Sequence, residues 1–398
     1  MFETLIDPNE ALSIAYHDAR AEMLEDELAT LLARYFPGGK VMRRLEWSDP
    51  ATNAVYENDA VVAVDRYLLI FEAKSRRISP PALRGAPDRL ALEIRKVMVE
   101  PAEQSKRLMD MLLAERRIHR FQSRDGPVQI DSRSVDTFVR VNVSLETIGD
   151  LNSRWPELAE ARFIAEDAVQ IPTMSLGDLE TICRSLRSQS SLAHHLRRRE
   201  DFERNAVYLA GELDLLAFYL ATGFNIGDDE FGETSLMIYG MSARLDEYFG
   251  PQQPGSPVRL PEAKRTPLWN SILAEIERRA SDGWLTITHR LLNASYDDQL
   301  KVEKHMAVAR RKLLRSSDPP AYAAMLAYGP SRGREGLAFI AFGKMTREER
   351  LEFAGETGVN VMDKAGTNDC LVVGFNTNEP PAPYHLITLV RRNVRASV

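Results

Sequence analysis

The chain has 398 residues, of which 44% are hydrophobic and 27% are charged, and its formal net charge is −7. This composition is ordinary for a globular protein, and the length predicts two or three domains. The sequence has no apolar run of about 18 residues, so we expect no membrane span. Its N-terminus has no basic region followed by an apolar one, so we expect no signal peptide. An acidic chain is not expected to coat nucleic acid by bulk charge, although a local site can carry its own basic rim.

The two cysteines indicate the compartment. Cys183 and Cys370 are far apart in the sequence and lie among apolar residues. They are predicted to be buried thiols in a reducing, cytoplasmic environment. No Cys/His pair has the spacing of zinc ligands, which argues against a zinc site.

The N-terminal elements follow in a clear order. Residues 8–36 are predicted to form a helix, because leucines such as Leu24, Leu28 and Leu32 recur on one face, and Pro37-Gly38-Gly39 ends it. A strand at 40–47 comes next. Two further apolar strands are predicted around the two-residue turn Asp65-Arg66.

That turn fixes a register with chemical consequences. If Val64 faces Tyr67, the same pairing brings Asp59 opposite Glu72, and directly opposed residues have Cβ atoms roughly 4.5–5.5 Å apart. Two carboxylates at this distance can share a divalent cation. Lys74 points to the same face as Glu72 and adds a positive charge. Two acids, a metal and a lysine are what phosphodiester hydrolysis requires.

A plain β-hairpin with a charged rim is the alternative. Asp-Arg is not a favoured hairpin turn, and a slip of one residue would move Asp59 to the other face. The runs Ala60–Val64 and Leu68–Phe71 are apolar on both faces, however, which is typical of central strands. Acids and a lysine at the ends of such strands favour the metal site.

The core continues with a helix and a strand. After Pro80-Pro81, a helix is predicted over 101–117 with Pro101 at its first position. A polar turn at 123–127 leads to an alternating strand at 135–145. The resulting order is helix, three strands, helix, strand.

These motifs resemble the PD-(D/E)xK phosphodiesterase superfamily, nearest to nuclease-related and Mrr-like prokaryotic members. Asp59 matches the motif's Asp, and Glu72-Ala73-Lys74 matches (D/E)xK, over roughly residues 10–180. The resemblance implies an α/β restriction-endonuclease-like core (αβββαβ, a mixed sheet flanked by helices). It also implies hydrolysis by a metal-activated water, with Mg²⁺ or Mn²⁺ held by Asp59 and Glu72 and with Lys74 as a catalytic residue.

The same resemblance suggests further site residues. Gln104, in the helix after the third strand, is predicted to assist catalysis, with a solvated helical glutamine as the alternative. Family members often carry a Glu on the first helix. Glu22, Glu25 and Glu27 compete for that role as a metal ligand, and Glu25 is preferred because it points nearer the core than Glu27. Glu57 is another possible ligand, and a surface acid is the alternative for each.

A basic segment follows the Glu-x-Lys strand. Arg76, Arg77, Lys106 and Arg107 are predicted to contact phosphates of nucleic acid around the cleft. The alternative is a set of solvated helix faces, since acids are interspersed along the same segment.

The remaining sequence divides into two parts. Helices are predicted at 175–199 and 202–222, so residues 1–175 form the nuclease-like domain and 176–250 a helical extension. The segment Gly250–Pro257 is a predicted linker, and 258–398 a separate mixed α/β domain of unknown role. Its predicted helices lie at 269–280, 296–314 and from 346 to about 355, and its strands at 321–328, 336–342, 369–375 and 384–390.

The sequence therefore predicts a metal-dependent nuclease, with DNA favoured over RNA and with no membrane partner. A catalytically inactive, nuclease-like module that binds nucleic acid or a protein is the alternative. A regulated effector of antiviral defence is a third hypothesis, in which the C-terminal domain restrains the nuclease or binds a regulatory protein. A homodimer would suit double-strand cleavage.

Overall fold

A computed structural model describes residues 10–49, 52–76, 78–232, 234–250, 258–315, 321–328 and 335–392. The chain divides into two compact units. The first consists of Met1–Phe218 with Thr234–Glu262, and the second of Tyr219–Glu233 with Ala263–Val398.

The first unit is an α/β structure built on a mixed sheet. Its strands are β1 (Lys40–Ser48), β2 (Val55–Val64), β3 (Tyr67–Lys74), β4 (Ile118–Ser123), β5 (Gly126–Asp131), β6 (Thr137–Ser144), β7 (Thr173–Ser175), β8 (Val207–Ala210) and β9 (Ser235–Ile238). Its helices are α1 (Glu10–Tyr35), α2 (Pro80–Leu83), α3 (Pro87–Ile94), α4 (Glu100–Ala114), α5 (Trp155–Glu160), α6 (Leu176–Leu186), α7 (Gln189–Asn205), α8 (Glu212–Thr222, whose last turn belongs to the second unit) and α9 (Ala243–Phe249). A π-helical turn, Arg95–Val99, joins α3 to α4.

Seven of these strands form one sheet in the order β5-β4-β1-β2-β3-β6-β7. β3, β6 and β7 run parallel, and the other neighbours are antiparallel. Between β2 and β3, Val64 pairs with Tyr67, so the predicted two-residue turn is confirmed. Asp65 has a φ of 50°, in the left-handed region that such turns require.

Helices cover the two faces of this sheet. Val61, Leu68 and Ile70 pack with Leu108 and Leu112 of α4 in one fully buried cluster. On the other side, the leucine stripe of α1 is buried and α1 packs against β1, β2 and β3. Strands buried on both faces explain why β2 and β3 are continuous apolar runs.

Among other differences, the first unit departs from the sequence prediction at three places. The predicted polar turn at 123–127 is the tip of a hairpin, β4–β5, whose strands were not predicted. The predicted helix 175–199 is two helices, because Arg187 has a φ of 58° and Ser188 caps a new helix. The predicted helix 202–222 is likewise divided by β8 into the end of α7 and α8.

The second unit has its own sheet and core. Its helices are α10 (Pro267–Arg279), α11 (Trp284–Leu292), α12 (Tyr296–Arg315) and α13 (Arg347–Ala365), and its strands are β10 (Ala321–Tyr328), β11 (Glu335–Phe342), β12 (Asp369–Asn376) and β13 (Leu386–Arg391). The four strands lie in the order β10-β11-β12-β13, with β11 and β12 parallel. Buried residues of β11, β12 and α13 form the core.

Here the predicted strands are confirmed, α11 was not predicted, and α13 is ten residues longer than predicted. The capping box that begins α13 is present between Thr346 and Glu349. Most of the predicted linker, residues 251–257, and the Gly-rich turn at 329–334 lie outside the described residues.

Both cysteines are free and buried, as predicted, and burial raises the pKa of each thiol to about 12. Among the described residues, no helix is long and apolar enough to cross a bilayer.

Candidate functional site

The site residues lie where β2 and β3 separate. β2 pairs with β1 along its length from Val55, whereas its pairing with β3 begins at Ala60, opposite Phe71. β3 continues beside β6 as far as Lys74. β2 and β3 therefore separate beyond the Ala60–Phe71 pair, and we call this opening the fork.

Asp59 occupies this fork. Its Oδ2 accepts a hydrogen bond of 2.6 Å from the backbone N–H of Ala73, so a carboxylate takes the place of a main-chain acceptor. The Lys74 Nζ lies 3.4 Å from Asp59 Oδ2 and 3.8 Å from Glu72 Oε2. Both carboxylates thus reach the same ammonium, on the same side of the sheet.

Glu72 is the most deeply buried of the three, with an exposed fraction of 0%. Its Oε1 accepts a hydrogen bond of 2.5 Å from Asn58 Nδ2, while Oε2 has no hydrogen-bond partner within the described part of the chain. Burial, and then the negative charge of Asp59, raise the pKa of Glu72 well above its usual value. The charge of Lys74 and the Asn58 amide oppose that rise.

The lysine stays charged. Burial by itself lowers the pKa of Lys74, but the charges of Asp59 and Glu72 outweigh it and the net pKa is raised. A fixed ammonium between two carboxylates lowers the electrostatic cost of holding both acids in one buried place.

Asn58 is a site residue that the sequence argument missed. It is 1% exposed, and its Oδ1 accepts a hydrogen bond of 2.9 Å from Trp47 Nε1 while its amide holds Glu72. Strand alternation would place Asn58 on the face opposite Asp59, yet at the fork both side chains turn toward β3. In the sequence Asn58 stands between Glu57 and Asp59, and nothing in that polar run signals that its amide is buried.

Gln104 and Glu57 lie beside the fork. The Gln104 side chain donates to the main-chain oxygen of Glu57 at 3.2 Å, which ties α4 to β2. Burial, followed by the charge of Asp59, raises the pKa of Glu57. The described contact of Gln104 is therefore with the backbone, and its predicted catalytic role stays a prediction.

Glu25, the predicted third metal ligand, lies close enough for its charge to act on Lys74 and Glu57, but it is paired with an arginine. Its Oε2 accepts from Arg44 Nε at 2.6 Å, so the carboxylate is engaged in an ion pair. In the described ranges, no three His, Cys, Asp or Glu side chains gather closely enough to hold a metal. What the structure brings together is the pair Asp59 and Glu72 with Lys74.

The predicted phosphate contacts are dispersed. Arg76 is exposed, and Arg77 lies outside the described residues. Lys106 pairs with Asp110 on the surface of α4. Arg107 is exposed and lies over the Tyr56 ring, 4.9 Å from its centroid, near the start of β2.

The chain was compared with family models, with curated proteins and with solved structures, and none of the three comparisons gave a match.

Proposed function

We propose that the protein is a metal-dependent nuclease with a restriction-endonuclease-like core. The observation that carries the proposal is the convergence of Asp59 and Glu72 on the Lys74 ammonium at the fork of β2 and β3. A buried acid pair with a lysine at a strand end is costly to fold, and such groups are concentrated at functional sites.

The acid pair suits a divalent cation. Glu72 Oε2 is buried, accepts no hydrogen bond from the described residues and faces Lys74 Nζ at 3.8 Å, so this oxygen is suited to a cation. Asp59 and Glu72 would hold the ion, and Mg²⁺ is commonly bound by one or two carboxylates together with substrate phosphate. The ion supplies Lewis acidity and lowers the pKa of a water molecule.

The protein's own groups supply the rest of the chemistry. Lys74 places its positive charge where negative charge accumulates on the phosphate during hydrolysis. Asn58 fixes the Glu72 carboxylate, and the Ala73 N–H fixes that of Asp59, so both acids are oriented before substrate binds. Exposed basic residues such as Arg76 and Arg107 are suited to contact the nucleic-acid backbone.

A second candidate function is a nuclease-like module that binds nucleic acid without cutting it. It is favoured by the absence, within the described ranges, of a third acid beside Asp59 and Glu72. This alternative predicts binding that persists without metal and no cleavage by the purified chain.

The test is a cleavage assay on DNA and RNA with Mg²⁺, with Mn²⁺ and with EDTA. We expect metal-dependent cleavage by the wild-type chain, and a loss of roughly 10²–10³-fold in rate for Lys74→Ala, because a charge-stabilising group is removed. Lys40→Ala, at an exposed lysine on β1 of the same unit, is the matched control and should cut normally.

Melting curves of both variants establish that they are folded. Equal cleavage by wild type and Lys74→Ala would reject the assignment. Binding of DNA without cleavage in any of the three conditions would favour the binding module.

A further inference from the structure

The second unit contains a cavity that the proposed nuclease chemistry does not use. Its volume is about 620 Å³. The end of α10, the first turns of α11 and α13, and residues 384–388 around the start of β13 line it. Small-molecule sites typically have volumes of about 300–1,000 Å³, so the space is sufficient for a ligand.

Three arginines make the wall of this cavity positive. Arg347, at the first position of α13, is exposed and has no ion-pair partner in the described part of the chain. Arg279 uses Nε to bind Glu275 at 2.6 Å, and Arg350 binds Glu379 through NH1 at 3.3 Å and the Met345 carbonyl through Nε.

In the described ranges, the other terminal nitrogens of Arg279 and Arg350 form no hydrogen bonds. Asp282 is the acid that lines the cavity. The glutamates that pair with Arg279 and Arg350 offset the charges of these two arginines. Arg347, unpaired within the described ranges, and the remaining guanidinium N–H groups are therefore what favour an anionic ligand.

Two aromatic side chains present polar groups in the same wall. Tyr384 and Trp284 are 8% and 5% exposed, and neither the Tyr384 hydroxyl nor the Trp284 indole N–H has a hydrogen-bond partner among the described residues. Neither atom is among the buried polar atoms of the described chain that lack a partner, so both are open to solvent in the cavity and available as donors to a ligand. Arg279 lies 4.8 Å from the centroid of the Tyr384 ring, which places a cation beside one donor.

The histidine in the cavity wall, His385, has no ring nitrogen left to donate a hydrogen bond to a ligand. His385 Nδ1 accepts from the Asn376 N–H at 3.1 Å, and Nε2 lies 3.1 Å from the Pro380 carbonyl. Both ring nitrogens are therefore occupied by the protein. The donors that remain come from the arginines, Tyr384 and Trp284.

The cavity also offers apolar surface and helix ends. Ile276, Ile287, Leu351 and Leu386 contribute side chains to its lining. Both α11 and α13 begin at the cavity, and the capping box between Thr346 and Glu349 closes the N-terminus of α13, so the arginines carry the positive charge there. The wall thus combines several phosphate-type donors with an apolar and aromatic part.

We propose that this cavity binds a nucleotide, with its phosphates on Arg279, Arg347 and Arg350 and its base against the apolar and aromatic wall. Bidentate guanidinium groups match phosphate geometry, and aromatic rings match a planar base. The proposal stands independently of the nuclease assignment, because it rests on residues of the second unit.

The experiment is isothermal titration of the full-length chain with the four ribonucleoside triphosphates in EDTA, with adenosine and inorganic phosphate as partial ligands. We expect a triphosphate to bind, and Arg347→Glu to weaken its binding roughly tenfold or more, since a charged hydrogen bond is replaced by repulsion. Tyr384→Phe, which removes only the hydroxyl, should weaken binding about 3- to 10-fold. Arg311→Glu, at an exposed arginine of α12 outside the cavity lining, is the matched charge control.

Lys74→Ala separates this site from the candidate nuclease site, and it should bind nucleotide as wild type does. The absence of binding by all four triphosphates at millimolar concentration would overturn the proposal. Binding that is unchanged in Arg347→Glu and Tyr384→Phe would overturn it too. Inorganic phosphate binding as tightly as a triphosphate would refute a nucleotide ligand.

Discussion

At the scale of single residues, Glu72 shows how a candidate functional group can oppose stability. A carboxylate with no exposed surface loses its hydration, and the neighbouring Asp59 adds repulsion. Asn58 and Lys74 recover part of that cost but leave Oε2 without a hydrogen bond among the described residues. The fold therefore holds the acid ready for a cation, at the expense of its own stability.

His195 makes a testable contribution to acid sensitivity. Burial and the nearby charge of Arg199 lower its pKa to about 3, so the ring is neutral in the folded protein. The unfolded chain takes up a proton below about pH 6.5, so stability is lost as pH falls from there toward 3. At pH 5 the loss is about 2 kcal/mol. Urea denaturation at pH 7.5 and pH 5 measures how far the unfolding free energy falls between the two pH values. We expect this fall to be about 2 kcal/mol smaller for His195→Leu than for wild type.

His305→Leu is the matched control, because His305 is exposed on α12. It should show the same difference between the two pH values as wild type. If His195→Leu also kept the full wild-type loss, the histidine would not be responsible for any of it.

The sequence located the three central residues but not their surroundings. The position of the turn determines which residues of two antiparallel strands lie opposite each other. Counting from the turn therefore placed Asp59, Glu72 and Lys74. Asn58 could not be placed in this way, because side-chain direction at a fork departs from strand alternation. Glu25 was assigned on the basis of its helix face, yet its partner Arg44 depends on a local backbone with a φ of 48° that periodicity does not reveal.

At the scale of elements, prediction succeeded where burial is strong and failed at edges. β2 and β3 are central strands with apolar runs and β6 is an alternating strand beside them, and the positions of all three were predicted within a few residues. β5 is an edge strand of alternating polarity that contains Pro127. A proline is tolerated in an edge strand, but in the sequence it predicts a turn. The predicted helix 175–199 ends at Arg199, although Arg199 is fully buried in the middle of α7.

Arg199 joins α7 to α8. Its guanidinium donates to both Glu212 oxygens at 3.1–3.2 Å and pairs with Glu203, which also accepts from Tyr208 at 2.5 Å. Arg199→Met leaves two buried acids without their cation, so we expect the unfolding free energy to fall by about 3–5 kcal/mol. Denaturant melts of the full chain measure this loss.

Two further variants test the explanation. Arg204→Met removes an exposed arginine of the same helix and should cost less than about 1 kcal/mol. Arg199→Met combined with Glu203→Gln and Glu212→Gln removes the uncompensated charges and should recover much of the loss. A triple variant no more stable than Arg199→Met would show that packing, and not charge, explains the effect.

At the scale of the whole molecule, the chain contains two cores built in different ways. The first unit buries a mixed sheet between α1 and α4, and the second buries β11 and β12 against α13. The units divide inside α8, after Glu233 and after Glu262, so the segment Tyr219–Glu233 belongs with the C-terminal unit. Sequence composition and linker residues predict domain boundaries in polar stretches. They could not predict the boundary inside α8, because α8 is an apolar helix.

Because the two units have separate cores, we expect a core substitution in one unit to destabilise that unit and not the other. Ile340 on β11 and Ile70 on β3 are both fully buried, and replacing either with alanine should cost about 2–5 kcal/mol. We expect hydrogen exchange of the full chain to quicken in β11, β12 and α13 for Ile340→Ala while β3 and β6 remain as in wild type. Ile70→Ala should give the reverse pattern, and so each variant serves as the control for the other. If either substitution speeds exchange equally in both sets of strands, the two units unfold as one cooperative structure and the division fails.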